Sequence, residues 1–392
     1  MSRPLPMILI FLAVIALIAG GSHYFLWTRL VRATSLDTPW RAIVTALLVT
    51  GGLVMPASLI VHQLVDAPWS RALSFVGYVW MGLAFFLLLG LGAADLLHLG
   101  DRLFASFRSL EPDPNRRLFL ARTMGGGVAA FTAVAGTAAL RSALHEAKLV
   151  DVVVALKQLP KSLHGLTIIQ ISDLHVGPTI RRDVVEALVD RVNALQPDIV
   201  VLTGDLVDGS VAALGPEMTA FKRLKSKHGV FFVTGNHEYY SGVDSWLAWW
   251  RQQGVTVLRN ERVTIGTGAD AIDLAGVDDW QAGRFGNGHG HDMPKAMANR
   301  VPDRAVILLA HQPKSIEEAA AHGVSLQLSG HTHGGQLWPF SYLVGLQQPY
   351  VAGLAQHKDT WIYVSRGTGY WGPPMRLGAP SELTRIVLHA AA

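Results

Sequence analysis

Cysteine is absent from this chain of 392 residues. Its absence excludes disulfide bonds and thiolate zinc sites, so any transition metal must be bound by His, Asp, Glu or Asn. Charged residues are also scarce, since Asp, Glu, Lys and Arg make up 16% of the chain and apolar residues make up 50%. Soluble proteins usually carry about 25% charged residues, and the shortage therefore indicates membrane-spanning segments.

The chain also has no large excess of positive charge, since its formal net charge is only +4. A protein that binds nucleic acid concentrates its positive charge on one face of a domain. Here much of the excess lies beside apolar segments, where membrane topology accounts for it. We therefore expect no nucleic-acid partner.

Four apolar runs dominate the first part of the chain. They are Leu5–Trp27, Ala42–Leu64, Ala72–Leu97 and Met124–Leu140. The first three are long enough to cross about 30 Å of hydrocarbon as helices, whereas the fourth is shorter and rich in Gly, Ala and Thr. The alternative is a set of buried core helices, which three such runs within a hundred residues disfavour. We predict a membrane domain over residues 1–145, with about four transmembrane helices in a lipid bilayer, and a soluble domain over residues 149–392.

The distribution of Lys and Arg around these runs predicts their orientation. The first and third loops are rich in arginine and carry Arg29, Arg32, Arg41, Arg102, Arg108, Arg116, Arg117 and Arg122. The opposite side has fewer cationic residues, namely Arg3, Arg71, Arg141 and Lys148. The two arginine-rich loops are therefore expected in the cytoplasm. This places a multi-pass protein in the inner (cytoplasmic) membrane, with the soluble domain on the extracytoplasmic, periplasmic side.

A pair of arginines, Arg116 and Arg117, precedes the fourth run. The pair and the mildly apolar run after it resemble a twin-arginine export signal, which would make the export machinery a partner. The alternative is that both arginines are ordinary cytoplasmic-side charges. Either interpretation leaves the soluble domain outside the cytoplasm.

After about Leu149, short apolar runs alternate with amphipathic stretches. The predicted strands are Leu166–Ile171, Ile199–Thr203, Val230–Thr234, Ala305–Ala310, Leu326–Leu328 and Trp361–Ser365. The predicted helices are Arg182–Leu195, Pro216–Ser226, Asp244–Gln253 and Ser315–His322. Alternation of this kind predicts an α/β domain whose sheets are covered by helices.

Side chains that bind metals follow five of these strands. They are Asp173 and His175, then Asp205, then Asn236, then His311, and finally His331 and His333. In α/β proteins functional sites gather at the carboxyl ends of strands, so residues far apart in sequence can converge there. Any one of these residues could be a turn residue. Asp208, three residues after Asp205, is taken alone best explained in that way. Five such blocks in one domain indicate a metal site.

The order Asp-x-His, Gly-Asp, Gly-Asn-His-Glu, a single His and Gly-His-x-His resembles the calcineurin-like metallophosphoesterase superfamily. The resemblance extends from about Leu159 to Leu388. Two further segments, Leu274–Asp279 and Ser365–Glu382, are similar to the YkuE/YaeI-type branch, whose members are membrane-associated or exported. The four apolar runs exceed the short anchors of that branch, and their role stays open.

The resemblance implies a four-layer α/β/β/α sandwich with two divalent metal ions. One ion would be bound by Asp173, His175 and His333, and the other by Asn236, His311 and His331. Asp205 would bridge the two ions. Nitrogen and oxygen ligands do not choose between manganese, iron and zinc.

In such a site two ions share a water molecule that attacks a phosphate ester. His237 is assigned as the general acid for the leaving group, with charge stabilisation as the alternative role. Asp208 is expected to orient His237. Asn236 and His237 would contact the substrate, and Arg366 would bind a second phosphate or head group, or else form a surface ion pair.

Three functions follow from these features. The first is a membrane-anchored hydrolase of phosphate mono- or diesters, with a lipid or another envelope component as the substrate. The second is a nuclease of the same superfamily, which needs a basic groove and has Lys222, Lys225 and Lys227 as candidates. The third is a non-catalytic membrane binding protein, which has no physical need for seven intact metal ligands.

Overall fold

The computed structural model describes residues 5–65, 67–107 and 113–391. Two compact units are present: one comprises the chain up to Arg141 together with Gly372–Met375, and the other comprises Ser142–Trp371 and Arg376–Ala392. Arg3 and Arg108, which entered the count of cationic residues, lie outside the described residues.

The first unit is helical. Its elements are α1 (Leu5–Trp27), α2 (Trp40–Leu64), α3 (Pro68–Phe107) and α4 (Pro114–Leu144), and a π-helical turn, Thr28–Arg32, extends α1. Each of these helices is long and apolar enough to cross a membrane. The helices α3 and α4 are longer than the apolar runs that predicted them. A helix can continue into polar sequence as long as its backbone hydrogen bonds are retained.

Several polar side chains inside this unit are paired. Trp80 Nε1 donates to His23 Nε2 at 2.8 Å, and His23 Nδ1 donates to the carbonyl oxygen of Ala19 at 2.7 Å. Arg29 forms an ion pair of 2.8 Å with Asp95. Polar groups among apolar helices are costly unless they are satisfied, so these contacts define how α1 packs against α3.

The second unit contains twelve strands. They are β1 (Lys148–Leu156), β2 (Leu166–Ile171), β3 (Ile199–Leu202), β4 (Val230–Phe232), β5 (Thr256–Val257), β6 (Glu261–Thr267), β7 (Asp270–Gly276), β8 (Val306–Leu309), β9 (Leu326–Ser329), β10 (Gly353–His357), β11 (Thr360–Val364) and β12 (Glu382–Ala390). One sheet has the order β1-β12-β2-β3-β4-β5 and the other β10-β11-β9-β8-β7-β6. The strands that precede the candidate ligands, β2–β4 and β8–β9, run parallel within their sheets.

Six helices cover the outer faces: α5 (Arg182–Ala194), α6 (Val211–Leu214), α7 (Asn236–Tyr240), α8 (Val243–Gln252), α9 (Met293–Met297) and α10 (Ile316–Ala321). A further helix, α11 (Phe340–Gly345), has no buried residue. The two sheets face each other across a core to which Ile168 and Val201 contribute from one sheet and Leu274 and Ile307 from the other. Separate clusters join the outer faces to α5, α8, α9 and α10. The predicted α/β/β/α layering, with apolar helices before it, is confirmed.

One predicted helix is of a different type, and six strands of the structure were not predicted. The helix predicted over Pro216–Ser226 is a 3₁₀ helix, Gly215–Arg223, in which Met218 and Phe221 are both buried because residues three apart share one side. The prediction also omitted six strands: β1, β5, β6, β7, β10 and β12. Two of them, β6 and β10, are sheet edges with mostly exposed or half-buried residues, so their sequence lacks a clear apolar run.

Candidate metal centre

The seven predicted ligands meet where two sheets end. Asp173, His175, Asp205 and Asn236 follow β2, β3 and β4 of one sheet, and His311, His331 and His333 follow β8 and β9 of the other. Six of the seven fall into two clusters whose ligand atoms lie within 4.8 Å of one another, namely Asp173 with His175 and His333, and Asp205 with His311 and His331. Convergence of parallel strand ends brings them together.

In the first cluster two imidazole nitrogens face each other. His175 Nε2 lies 3.1 Å from His333 Nε2, which lies 3.5 Å from Asp173 Oδ1. His175 Nδ1 donates to Asp208 Oδ1 at 3.0 Å, so the ring is held with its Nε2 atom directed into the cluster. These atoms are arranged as ligands of a cation.

The second cluster is built around Asp205. His311 Nδ1 donates to the carbonyl oxygen of Thr203 at 2.7 Å, and His311 Nε2 lies 3.0 Å from Asp205 Oδ2. That short contact lacks the alignment of a hydrogen bond. The Nε2 atom therefore points at the carboxylate without being satisfied by it.

Three buried atoms of the seven candidate ligands have no hydrogen-bond partner among the residues that the structure describes. They are Asp173 Oδ2, Asn236 Oδ1 and His311 Nε2. An unsatisfied buried polar group costs about 1–3 kcal/mol, so three of them at one place need an explanation. All three are predicted ligands, and carboxylate, amide oxygen and imidazole suit divalent manganese, iron or zinc. The residues present therefore fit divalent metal ions.

Asp205 and His311 shift each other's pKa in opposite directions. Burial works to raise the pKa of Asp205, but the imidazoles of His311 and His237 outweigh it and hold that pKa well below its ordinary value. Burial works to lower the pKa of His311, yet the facing Asp205 carboxylate raises it well above its ordinary value. Without a cation the two groups form a buried ion pair. A metal ion would replace the His311 proton, so metal binding and loss of this proton are coupled.

Burial favours the neutral form of two other candidate ligands, His331 and His333. Burial, assisted by the charge of His311, lowers the pKa of His331 to about 3. Burial also holds the pKa of His333 well below its ordinary value, and His175 and Arg376 add to the effect. Neutral imidazoles leave a lone pair for coordination. Burial raises the pKa of Asp173, and a neighbouring cation would favour its ionised form.

The backbone is left-handed at five of the seven positions. Their φ angles are positive: Asp173 (52°), His175 (52°), Asp205 (52°), His331 (72°) and His333 (50°). Such conformations are uncommon for residues other than glycine and cost about 1–3 kcal/mol each when held. The sharp turns after the strands direct these side chains towards one region, so strain is concentrated in the site.

Two glycines allow the loops of the centre to approach closely. A Cβ atom at Gly330 would overlap the side chains of Ser172 and Asp173, and one at Gly235 would overlap the Asp205 carboxylate. In turn, Asp173 Oδ1 accepts the backbone N–H of His331 at 2.8 Å. Glycine is therefore required at Gly330, where loops of the two sheets meet, and at Gly235, where the loops after β3 and β4 meet.

Glu238 has a structural role that the sequence analysis did not assign. Its carboxylate is fully buried and accepts the backbone N–H groups of Asp205 (2.9 Å), Leu206 (2.8 Å) and Gly235 (2.7 Å). Burial raises the pKa of Glu238 to about 7. The side chain fastens the loop after β3 to the loop after β4. Its position after Asn236 and His237 in the Gly-Asn-His-Glu motif was the available signal.

Arg376 was also without an assigned role. Its guanidinium is buried and donates to the carbonyl oxygens of Gly369, Ala379 and His333. Burial lowers the pKa of Arg376 to about 10. One further nitrogen, Nη2, lies 3.1 Å from His333 Nδ1. Arg376 therefore packs behind the His333 ring, on the side away from the Nε2 atom that faces His175.

His237 and Asp208 lie at the opening of the site. The His237 side chain is 15% exposed and that of Asp208 is 25% exposed. His237 Nδ1 donates to Asp208 Oδ1 at 2.6 Å, and the same oxygen accepts from His175. Burial works to lower the pKa of His237, but Asp205 and Asp208 raise it to about 9. The imidazole is thus held by one nitrogen and directs the other, Nε2, away from Asp208.

Arg366 forms the ion pair that was the alternative prediction for it. Its Nη1 donates to Glu382 Oε2 at 2.9 Å, and its backbone N–H contacts Oε1 of the same carboxylate. Glu382 is buried and also accepts from the Tyr363 hydroxyl at 2.6 Å. The guanidinium belongs to neither ligand cluster, and a contact with substrate stays a prediction.

Comparisons with known proteins agree with this geometry. The family model for calcineurin-like phosphoesterases matches residues 166–335. A "transmembrane protein with metallophosphoesterase domain" from Danio rerio is 36% identical over 392 residues, which cover 96% of this chain and 88% of that protein. An uncharacterized metallophosphoesterase of Helicobacter pylori is 44% identical over 225 residues, covering 57% of this chain and 60% of that one.

A third relative represents the branch that the sequence resembles. The uncharacterized metallophosphoesterase YkuE of Bacillus subtilis is 29% identical over 239 residues, which cover 59% of this chain and 81% of that protein. The similarity to the Danio rerio protein extends over both the apolar helices and the two-sheet unit, and four apolar helices together with relatives named as transmembrane proteins fit a membrane protein. The sequence motifs, the two-sheet fold and these relatives agree, and the chain belongs to the calcineurin-like metallophosphoesterase family.

Proposed function

We propose that this protein is a membrane-anchored phosphoesterase that hydrolyses a phosphate mono- or diester with the help of two divalent metal ions. The observation that carries the proposal is the pair of buried ligand clusters with unsatisfied lone pairs. Family membership supports a phosphoesterase, whereas the number of ions, the residue roles, the substrate and the anchoring are the proposed parts.

The proposed division of the ligands between two ions follows the family resemblance and agrees with the two clusters, which group Asp173 with His175 and His333, and His311 with His331. Asp173, His175 and His333 would hold one ion, and Asn236, His311 and His331 the other, with Asp205 between them. Two divalent ions carry +4 and the two aspartates return −2, which leaves about +2 towards the substrate. When bound, the ions would lower the pKa of a shared water molecule and polarise the phosphoryl oxygens.

The chain itself supplies the proton for the leaving group. His237 Nδ1 is engaged with Asp208 at 2.6 Å, so Nε2 carries the proton that can be given to an alkoxide. Asp208 acts as a positioning residue, because it holds both His237 and the proposed ligand His175 through one oxygen. Asn236 and His237 are the proposed substrate contacts.

The nuclease alternative has little support from the positions of the lysines. The backbone of Lys227 bonds to Pro197, just before the start of β3, and its side chain lies 4.0 Å from Asp198. Lys222 and Lys225 belong to or follow the same 3₁₀ helix. All three lysines precede β4, and Lys227 lies beside the amino end of β3, whereas the ligands follow the carboxyl ends of the strands. A basic groove around the metal centre is therefore not formed by them.

Metal removal tests the function. The full chain, purified in detergent, is expected to contain bound manganese, iron or zinc and to hydrolyse p-nitrophenyl phosphate or its diesters. Treatment with a chelator should abolish turnover, and adding back one of these metals should restore it. His322→Gln provides a control, because His322 caps α10 away from both clusters. Hydrolysis that survives complete removal of metal would contradict the proposal.

We further propose that the chain crosses the cytoplasmic membrane with the metal centre on the extracytoplasmic side. Arg116 and Arg117 lie in the first turn of α4, where positive charge opposes the helix dipole, so helix stability does not explain them. Retention of positive charge in the cytoplasm does explain them. Recognition by the twin-arginine export machinery is an additional role that the same pair would support.

Protease access in spheroplasts tests this orientation. The two-sheet unit should be degraded in the wild type and protected when Arg116 and Arg117 are both replaced by Gln, because the fourth helix is only weakly apolar. Arg141→Gln, at the other end of α4, is the control and should leave the unit accessible. A wild-type unit that resists protease until the membrane is broken would show that the proposed orientation is wrong.

A further inference from the structure

An apolar surface borders the proposed active site. It consists of Trp338, Tyr342, Leu343, Leu346 and Trp371, here called the apolar rim, whose exposed fractions are 51%, 72%, 55%, 82% and 55%. Four of these residues lie within or beside α11, a helix with no buried residue. The segment begins only a few positions after His333. Exposed apolar side chains grouped in this way mark an interaction site.

The rim is attached to the opening of the site. Gln336 Nε2 donates to the carbonyl oxygen of Trp371 at 2.8 Å, and Gln336 Oε1 accepts the Trp371 backbone N–H at 2.9 Å. The indole of Trp371 contacts the His237 ring edge-on, with 5.8 Å between centroids. Whatever contacts the rim is therefore adjacent to the proposed general acid.

The sequence around the rim is devoid of formal charge. No Asp, Glu, Lys or Arg occurs between Glu318 and Lys358. Protein-binding and free surfaces usually carry interspersed charges, whereas Trp, Tyr and Leu without charge are typical of segments that sit in the membrane interface. The amphipathic rings of Trp and Tyr favour the head-group level, and leucine favours the acyl boundary.

The short linker between α4 and β1 also favours a bilayer as the partner of the apolar rim. Only residues 145–147 lie between the end of α4 and the start of β1. A linker of this length spans at most about 15 Å. If α4 crosses a membrane, as its length and composition allow, the two-sheet unit is confined to that membrane's surface. A soluble protein partner has no comparable argument in its favour.

We propose that the apolar rim inserts into the surface of the bilayer that anchors the chain, so that the opening at His237 faces phosphate esters carried by lipids. The catalytic part of this inference rests on the proposed function. The acyl chains of such a substrate stay in the bilayer while its phosphate enters the site. Confinement to one surface raises the effective concentration of the ester.

Fluorescence quenching tests insertion directly. Because the chain has no cysteine, Leu346→Cys and Tyr342→Cys can each be labelled with a single nitrobenzoxadiazole group in the full chain. Val184→Cys is the matched control, since Val184 is 42% exposed on α5 among Arg182, Asp183 and Glu186. In proteoliposomes of phosphatidylcholine and phosphatidylglycerol, doxyl-labelled lipids should quench the rim labels at least about threefold more than the control. Aqueous iodide should quench the control label more strongly than the rim labels.

Two results would overturn insertion. Rim labels quenched by iodide as strongly as the Val184 label would show that the rim is in water. Rim labels protected from both quenchers would show that protein covers it, either another part of this chain or a partner.

A pair of diesters tests the consequence for substrates. Dodecyl p-nitrophenyl phosphate partitions into bilayers, whereas methyl p-nitrophenyl phosphate has the same leaving group and stays in water. The double variant Leu343→Ser with Leu346→Ser should cleave the dodecyl ester about tenfold more slowly and the methyl ester at the wild-type rate. Equal effects on both esters would contradict a role in presenting lipids. Wild-type protein that cleaves neither ester would contradict diester hydrolysis, while the quenching result would still decide insertion.

Discussion

Replacement of Asp205 by Asn is expected to lower phosphoesterase turnover by at least about two orders of magnitude and to reduce metal occupancy. Asp205 is buried in the second cluster, with Oδ2 at 3.0 Å from His311 Nε2 and 4.0 Å from His237 Nε2, and it is the proposed bridge between the two ions. An amide removes the negative charge that two neighbouring cations would share. The measurements are kcat with p-nitrophenyl phosphate and metal content per chain.

The control for this variant separates loss of charge from loss of fold. Asp151→Asn removes the same charge from an exposed ion pair with Arg385 and should leave both quantities unchanged. In Asp205→Asn the side-chain amide would still offer an oxygen to the His237 backbone N–H, which Asp205 Oδ1 accepts at 2.8 Å. Thermal unfolding of the Asp205→Asn protein should therefore stay cooperative. Full metal content with near-normal turnover would show that Asp205 does not bridge two ions.

Replacement of His237 by Gln should keep the metals but lower kcat by about 10²–10⁴-fold for alkyl phosphate esters. Its imidazole shares the Asp208 oxygen with His175 and packs edge-on against the His175 ring, with 4.6 Å between centroids, but His237 is not one of the seven proposed ligands. An alkoxide leaves poorly without a proton, whereas a p-nitrophenolate needs little help, so aryl esters should lose less. Turnover of alkyl and aryl esters by the wild type and the variant is the comparison required.

The pH profile supplies a second readout for His237. The raised pKa of His237, about 9, keeps the acid form present at neutral pH, so kcat should fall as the pH rises through that pKa. Bound cations would move this alkaline limb to lower pH, because positive charge disfavours the imidazolium. The limb should be missing in His237→Gln and shifted in Asp208→Asn, where the orienting charge is lost. An equal loss on both ester types, with the limb retained, would exclude the leaving-group role.

Local patterns were enough to locate the candidate ligands. Each strand before a ligand is short and mostly buried, and three of them (β3, β4 and β8) are unbroken apolar runs such as Ile199–Leu202, so that a polar residue just after the strand is easily recognised. The same local signal located four apolar helices, because a membrane span is defined by length and composition alone. Edge strands such as β6 and β10 lack such a run and were missed.

These local patterns did not predict contacts between residues that are far apart in sequence. His175 and His333 are 158 positions apart, and His311 and Thr203 are 108 apart. Their distances depend on the order of strands in two sheets, which the sequence did not specify. The buried supports supplied by Glu238 and Arg376, and the ion pair of Arg366 with Glu382, depend on the same packing.

The sequence by itself determined the family, the types and order of the candidate ligands, and the apolar helices, because each is encoded in neighbouring residues. The tertiary structure decided which lone pairs remain unsatisfied, which imidazoles are neutral, and which ligands are held in left-handed backbone. It also decided that exposed apolar residues border the opening at His237. These properties arise from burial and from the approach of one sheet to another, and burial exists only once the chain has folded.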